Sequence, residues 1–299
     1  MKLPPLLDAL RTLLTAAALG YGLLLLAGCA FQKRLVFFPE RELPFTPASA
    51  GLAFEDRWLA TPDGIRLHAW WIPAAPGPEK GVILHTHGNA GNIAHRLDKA
   101  AAWSRAGYAT LLLEYRGYGR SGGAITEAGL YRDAATAWRH LTMEKGIPPR
   151  RIIIFGTSLG GAVAAHLAQG KGPAGLVLES SFLSLPDVAA HHYPWLPVRL
   201  LLRYRFPTGE FLAKVACPVL VLHGPADEIV PYANGRRLYE RAHGPKQFLP
   251  LRGGHNDGRL EEDPDLRQNL LRVLDAWTAE SATEKNCGQG LNSGVDAAY

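Results

Sequence analysis

The chain has 299 residues, of which 47% are hydrophobic and 20% charged, a globular composition that excludes a collagen, a disordered chain and a small disulfide scaffold. Its length suits one large α/β domain or two small domains. Lys and Arg number 32 against 27 Asp and Glu, a formal charge of +5. The charges are scattered rather than gathered into a stripe, so no nucleic-acid partner is expected.

The first segment differs from the rest. Residues 12–32 carry no charge and are dominated by Leu and Ala, with Lys2 and Arg11 before them. A run of this length reads as a membrane-spanning helix or a secretory signal. Leu26-Ala27-Gly28-Cys29 at its end resembles the lipobox of bacterial lipoproteins, which implies cleavage before Cys29 and a diacylglyceryl group on its sulfur. Segment 1–28 is thus a signal peptide or membrane anchor, and 29–53 a linker. On the lipoprotein reading the protein sits on the periplasmic side of a bacterial envelope. An uncleaved helix is the other reading. Because Lys33, Arg34 and Arg41 outnumber Lys2 and Arg11, the positive-inside rule gives such a helix no clear exported orientation. Either form tethers the chain to a membrane through its N-terminus.

Three cysteines cannot form a framework of bridges. Cys217 enters an apolar run and reads as core. Cys287 lies in 281–299, a stretch of small and polar residues read as a disordered tail.

Strands and helices alternate between these ends. Residues 54–60 and 65–72 flank Thr61-Pro62-Asp63-Gly64 and read as an antiparallel hairpin. Segments 81–86, 108–115, 151–155, 175–178, 218–222 and 247–251 read as strands, the apolar runs among them buried on both faces. Segments 90–106, 127–145, 159–169, 233–242 and 264–278 read as helices. Strict alternation implies crossover units and a mostly parallel sheet with helices on both faces. Pro186, Pro194, Pro197 and Pro207 break the rhythm within 180–216, which predicts an insertion of short helices and turns, a lid at about 181–216. The catalytic domain is expected over 54–280.

The strongest chemical signal is Gly156-Thr157-Ser158-Leu159-Gly160, between strand 151–155 and helix 159–169. In the order strand, tight turn, helix, this pattern exposes a serine hydroxyl on a strained turn whose flanking glycines remove clashing side chains. The helix start aims N–H groups at developing negative charge. A serine needs a base to take its proton, and a carboxylate to orient that base, in the chain order Ser, acid, His. His255 follows the last strand in Gly253-Gly254-His255-Asn256-Asp257 and is the expected base. His243 reads as a helix cap and His223 as structural. Asp227, also after a strand end, is the expected acid, with Glu179 as runner-up; Glu228 is expected to point elsewhere. Two oxyanion donors are needed. They are assigned to the N–H groups of Leu159 and of Asn89, in the loop His87-Gly88-Asn89-Ala90-Gly91-Asn92.

Four stretches, His87 to Asn92, Arg116-Gly117-Tyr118-Gly119-Arg120-Ser121-Gly122, Gly156 to Gly160, and His223 to Pro231 with Gly254-His255-Asn256, resemble the α/β-hydrolase superfamily. His-Gly-Asn-Ala-Gly-Asn together with Arg-Gly-Tyr-Gly resembles its membrane-associated branch. That branch includes mammalian depalmitoylating members and bacterial relatives labelled as hydrolases or serine peptidases. The resemblance implies the α/β-hydrolase fold, with Ser158 as nucleophile, His255 as base and then acid, and Asp227 as orienter. The chain lacks the cysteine cluster that opens the depalmitoylating members, so their substrate is not carried over.

Three other signals are set aside. Gly117-x-Gly119-x-x-Gly122 matches a dinucleotide fingerprint, but no helix opens at its third glycine, so no cofactor is expected. His191-His192 lacks further ligand spacing, so no metal is expected. Arg199, Arg203 and Arg205 read as the solvated face of a lid helix. The expected protein is a membrane-tethered serine hydrolase of esters or thioesters working through an acyl-enzyme. A serine peptidase with the same residues, or a non-catalytic binding protein on this fold, are the alternatives; oligomeric state stays open.

Overall fold

Residues 5–256 and 263–289 are described by a computed structural model. Helix α1 (Pro5–Val36) holds the uncharged run and continues past Cys29, so the first part of the expected linker is helical. It is followed by the two-residue strand β1 (Phe38–Pro39) and a short turn of 3₁₀-helix at Pro47–Ala50. The hairpin forms as β2 (Glu55–Ala60) and β3 (Arg66–Ile72), paired antiparallel from Glu55 against Trp71 to Ala60 against Arg66.

Strand β4 (Gly81–Thr86) opens the parallel part of the sheet. The expected helix over 90–106 is shorter than its composition suggests. Ala90–Gly91 forms strand β5, parallel to β1, and Ile93–Arg96 is 3₁₀-helix before α2 (Leu97–Arg105). Two local features delay the helix. Gly91 has φ +75°, and Asn92 is extended with its side chain accepting the Ala94 N–H at 3.0 Å, a capping arrangement that starts the helix only beyond it.

Next come β6 (Tyr108–Leu113), α3 (Glu127–Arg139), β7 (Ile152–Thr157), α4 (Leu159–Ala168) and β8 (Gly175–Glu179). Helix α3 gives way at His140–Glu144 to a turn of π-helix. The insertion contains α5 (Leu185–His192), α6 (Val198–Leu201) and α7 (Thr208–Leu212). The last elements are β9 (Val219–His223), α8 (Tyr232–Arg241), β10 (Lys246–Pro250) and α9 (Pro264–Gln289). The α9 backbone is helical past Thr278, through the first part of the expected tail. The remainder of that tail, residues 290–299, lies outside the described residues.

Eight strands form one sheet in the order β10-β9-β8-β7-β4-β6-β3-β2. Pairing is parallel from β10 to β6; only β3 and β2 run antiparallel to their neighbours. The two-residue alternation of strand side chains feeds two apolar layers. Val82, Leu84, Ile152 and Ile154 face the layer made by α3, α4 and α8. Ile83, Ile153 and Phe155 face the layer made by α2 and α9. With both faces covered, strands as apolar as Ile152-Ile153-Ile154-Phe155 are stable only in the middle of such a sheet. Helix α9 lies close because Gly175 has no side chain: a Cβ there would sit 2.1 Å from the Trp277 ring.

Candidate active site

The β7–α4 turn is built by close packing. A Cβ on Gly156 would lie 2.5 Å from Gly160 O, and one on Gly160 would lie 2.1 Å from Thr86 O. With both positions bare, helix α4 starts immediately after the strand and Ser158 is held at φ 53°, ψ −118°. A positive φ on a non-glycine residue costs about 1–3 kcal/mol and persists here because the surroundings fix it. Ser158 N–H donates to Glu179 O at 2.7 Å, and Ser158 O accepts from Gly161 N–H and from Ser181 Oγ, both at 2.9 Å.

Ser158, His255 and Asp227, expected from the turn motif, the strand ends and the chain order, lie in one hydrogen-bonded row. His255 Nε2 is 3.1 Å from Ser158 Oγ, and His255 Nδ1 is 2.8 and 3.0 Å from the two Asp227 oxygens. Asp227 Oδ1 also accepts the N–H groups of Ile229 (3.0 Å) and Val230 (2.7 Å). Burial works against the Asp227 charge, yet the hydrogen bonds from His223, His255 and Val230 outweigh it and hold the carboxyl well below the usual carboxylate range. An ionised Asp227 fixes the tautomer: His255 Nδ1 carries the proton, leaving Nε2 free to accept from the serine.

Two supports of this row add to the sequence reading. His223, read as structural, reaches the site: its Nε2 donates to Val230 O at 2.8 Å and lies 3.3 Å from Asp227 Oδ2. Its place at the end of β9, four residues before Asp227, was the available signal. Glu228, expected to point away, accepts the His255 backbone N–H at 3.0 Å. Gly254 makes room for it, since a Cβ there would sit 2.5 Å from Glu228 Oε2.

The runner-up acid Glu179 has other partners. It accepts from Thr157 Oγ1 at 2.8 Å and pairs with Lys99. Thr157 Oγ1 in turn lies 3.3 Å from His85 Nε2. Burial pushes the His85 pKa well below the ordinary imidazole value, so the ring is neutral and its Nε2–H donates to Thr157. This chain of polar groups under β7 holds the residue before Ser158.

Leu159 is the first residue of α4, its N–H at the helix start. Gly88 brings the loop after β4 over the serine, a Cβ on it lying 3.5 Å from Ser158 Cβ. Asn89, next in that loop, is fastened on three sides. Its Nδ2 donates to Val36 O at 2.8 Å, and its O accepts from Phe38 N–H at 3.0 Å and from Tyr118 Oη at 2.8 Å. The Arg116 to Gly122 segment, with its fingerprint-like glycines, is thus a brace for this loop. Gly119 lies against Glu114, and Glu114 accepts from the Ile93 N–H at 3.2 Å and lies 3.1 Å from His87 Nε2. Arg116 ties the segment down, donating to Asp133 and Asp63.

The row opens into a cavity of about 1550 Å³ bounded by Gly88, Ser158 and His255 on the sheet side and by the lid and α1 on the other. His192 of the lid has its Nε2 on Ile229 O at 2.7 Å. Among the described residues no group of three His, Cys, Asp or Glu side chains is placed to hold a metal ion.

An open, mostly parallel sheet with a serine on the strained turn after β7, an acid in the loop after β9 and a histidine in the loop after β10 defines a class of protein. The family model described as "Serine aminopeptidase, S33" matches residues 77–210. An uncharacterized Mycobacterium tuberculosis protein is 43% identical over 245 residues, covering 81% of this chain and 87% of its own. The alpha/beta hydrolase domain-containing protein WAV2 of Arabidopsis thaliana is 36% identical, covering 77% and 83%. An uncharacterized membrane protein of Saccharomyces cerevisiae is 34% identical, covering 78% and 85%. Among solved structures, an esterase of Pyrococcus furiosus superposes with a TM-score of 0.64 at 18% identity, covering 81% of this chain and 98% of its own. The chain belongs to the α/β-hydrolase superfamily and is a hydrolase.

Proposed function

We propose that the protein is a serine hydrolase that cleaves carboxylic esters or thioesters through an acyl-enzyme. The observation that carries this reading is the row of contacts from Ser158 Oγ through His255 to Asp227, at 3.1 and 2.8 Å. Ser158 Oγ attacks the substrate carbonyl while His255 Nε2 takes its proton. The N–H groups of Leu159 and Asn89 face the oxyanion. The imidazolium, steadied by Asp227, then protonates the departing alcohol or thiol. A water activated by the same histidine attacks the acyl-serine, and the acid leaves.

A peptidase reading has one observation in its favour, the description of the matched family model. An apolar cavity walled by Leu185, Leu196 and Leu201 supports the acyl substrate instead. A non-catalytic role would leave a base-activated serine unused. The test is hydrolysis of p-nitrophenyl acyl esters, set beside aminoacyl and peptidyl amides, with fluorophosphonate labelling. Ester turnover and labelling that both vanish in Ser158→Ala support the proposal, with a loss of several orders of magnitude in kcat. Near-full turnover in that variant overturns it, and preference for aminoacyl amides favours the peptidase.

Tethering to a membrane through α1 belongs to the same proposal. Supporting it are the apolar helix, long enough by length and composition to cross a bilayer, and the membrane description of the yeast relative. Its two forms are an uncleaved helix and a lipoprotein cleaved before Cys29 on the periplasmic side. The mass of the membrane-extracted protein distinguishes them.

A further inference from the structure

The cavity above Ser158 exceeds what bond cleavage needs. At about 1550 Å³ it is larger than an ordinary small-molecule site of roughly 300–1,000 Å³. It leads from the serine between two apolar walls. One is the C-terminal half of α1, with Leu24, Leu25 and Gly28; the other is the lid, with Leu196, Leu201 and Leu202.

The walls are fastened to each other. Gln32, 6% exposed within the uncharged run, has both ends of its amide satisfied by the lid: Nε2 donates to Leu201 O, and Oε1 accepts from Arg203 N–H, each at 2.8 Å. Three turns earlier Tyr21 Oη donates to Trp195 O at 2.9 Å. The lid presents Tyr193, Trp195 and Leu200 to the outside, more than half exposed, beside the exposed leucines of α1. From Leu24 to Lys33 the helix rises roughly 14 Å, about one leaflet of a hydrocarbon core of about 30 Å. With α1 in a bilayer, the cleft would open alongside the apolar run.

We infer that the acyl chain of a bilayer-resident lipid ester reaches Ser158 sideways, through the cleft between α1 and the lid, and that α1 is retained as one wall of the acyl site. The inference rests on the esterase reading above. Cleavage before Cys29 would remove Tyr21, Leu24, Leu25 and Gly28, and with them that wall and one of the two ties to the lid.

The test uses the full chain in phosphatidylcholine vesicles. A fluorophosphonate with a sixteen-carbon chain ending in a diazirine is attached at Ser158, irradiated, and the cross-linked peptides are mapped. Cross-links to residues 21–32 and 193–202 are expected. Cross-links confined to the sheet domain, or a mature N-terminus at Cys29, overturn the inference. Absence of labelling at Ser158 is the failure of the esterase reading itself. A second arm compares Leu25→Trp with Leu23→Trp, whose side chain lies outside the cleft. The ratio of kcat/KM for palmitoyl over acetyl 4-methylumbelliferyl ester should fall about tenfold in the first and stay within about twofold in the second. Equal ratios in both overturn the inference.

Discussion

Asn89 Nδ2 donates to Val36 O at 2.8 Å, so the loop over the serine is tied to the last residue of the N-terminal helix. A backbone N–H offered to an oxyanion is useful only if it is held in place before the reaction begins. Asn89→Ala keeps that N–H but loses the tie. A misplacement near 1 Å costs up to about 10²-fold in rate, so kcat should drop by about ten- to a hundredfold with KM little changed. Steady-state kinetics on a short acyl ester check this; an unchanged kcat would mean that Phe38 and Tyr118 hold the loop unaided.

Asp227 gives the site an acid-side signature. Its folded pKa lies below the unfolded value of about 3.9, because hydrogen bonds outweigh the cost of burial. The stability it contributes is therefore present above the unfolded pKa and is lost as pH falls through the folded one. Asp227→Asn should flatten the fall of stability below about pH 4. Urea midpoints measured across that range are the check. The same variant should lose on the order of 10⁴ in kcat, the scale of the comparable change in other triads.

Arg116 bridges two carboxylates, and its side chain is 5% exposed, against 0% for Asp133. Burial holds the Asp133 pKa above the ordinary value even with the guanidinium beside it. Arg116→Ala leaves that carboxyl buried and unpaired, which costs about 3–5 kcal/mol. The Arg116 guanidinium lowers the Asp133 pKa, so its removal raises that pKa further in the native state and the deficit should grow as pH rises. Denaturant unfolding at pH 5 and pH 8 tests both the size and the trend. A deficit under 1 kcal/mol, or one that shrinks with pH, refutes the account.

Burial pushes the Cys217 thiol up to about 12. Only the thiolate reacts with alkylating agents, so native protein at pH 8 should leave Cys217 unmodified by iodoacetamide. The residue should become modified once urea unfolds the chain. Peptide mass mapping before and after denaturation reads this directly, and rapid native modification would place the residue at the surface instead.

The local patterns were legible because they depend on neighbours in the chain. The run 152–155 announces a buried strand by its side chains alone, and Gly156-x-Ser158-x-Gly160 announces a strained turn because only glycine fits where backbone passes within 2.5 Å. The order Ser158, Asp227, His255, each after a strand end, was likewise readable, since a parallel sheet places all such ends on one edge. The pairing of Ala90–Gly91 with β1, some fifty residues away, was not, and the expected helix start fell on it although Asn92 is a local cap.

Contacts between distant segments were decided by the tertiary structure alone. Nothing in Gln32 says that its amide will hold the lid, nor in Glu228 that it will take the His255 N–H, nor in Tyr118 that it will brace Asn89. Each depends on where a helix or loop docks, and docking is set by the packing of whole apolar faces rather than by the polar residue that profits from it. Sequence alone determined the strand order of the chemistry and the apolar character of the first helix; the folded chain decided that this helix would form a wall of the cavity above the serine.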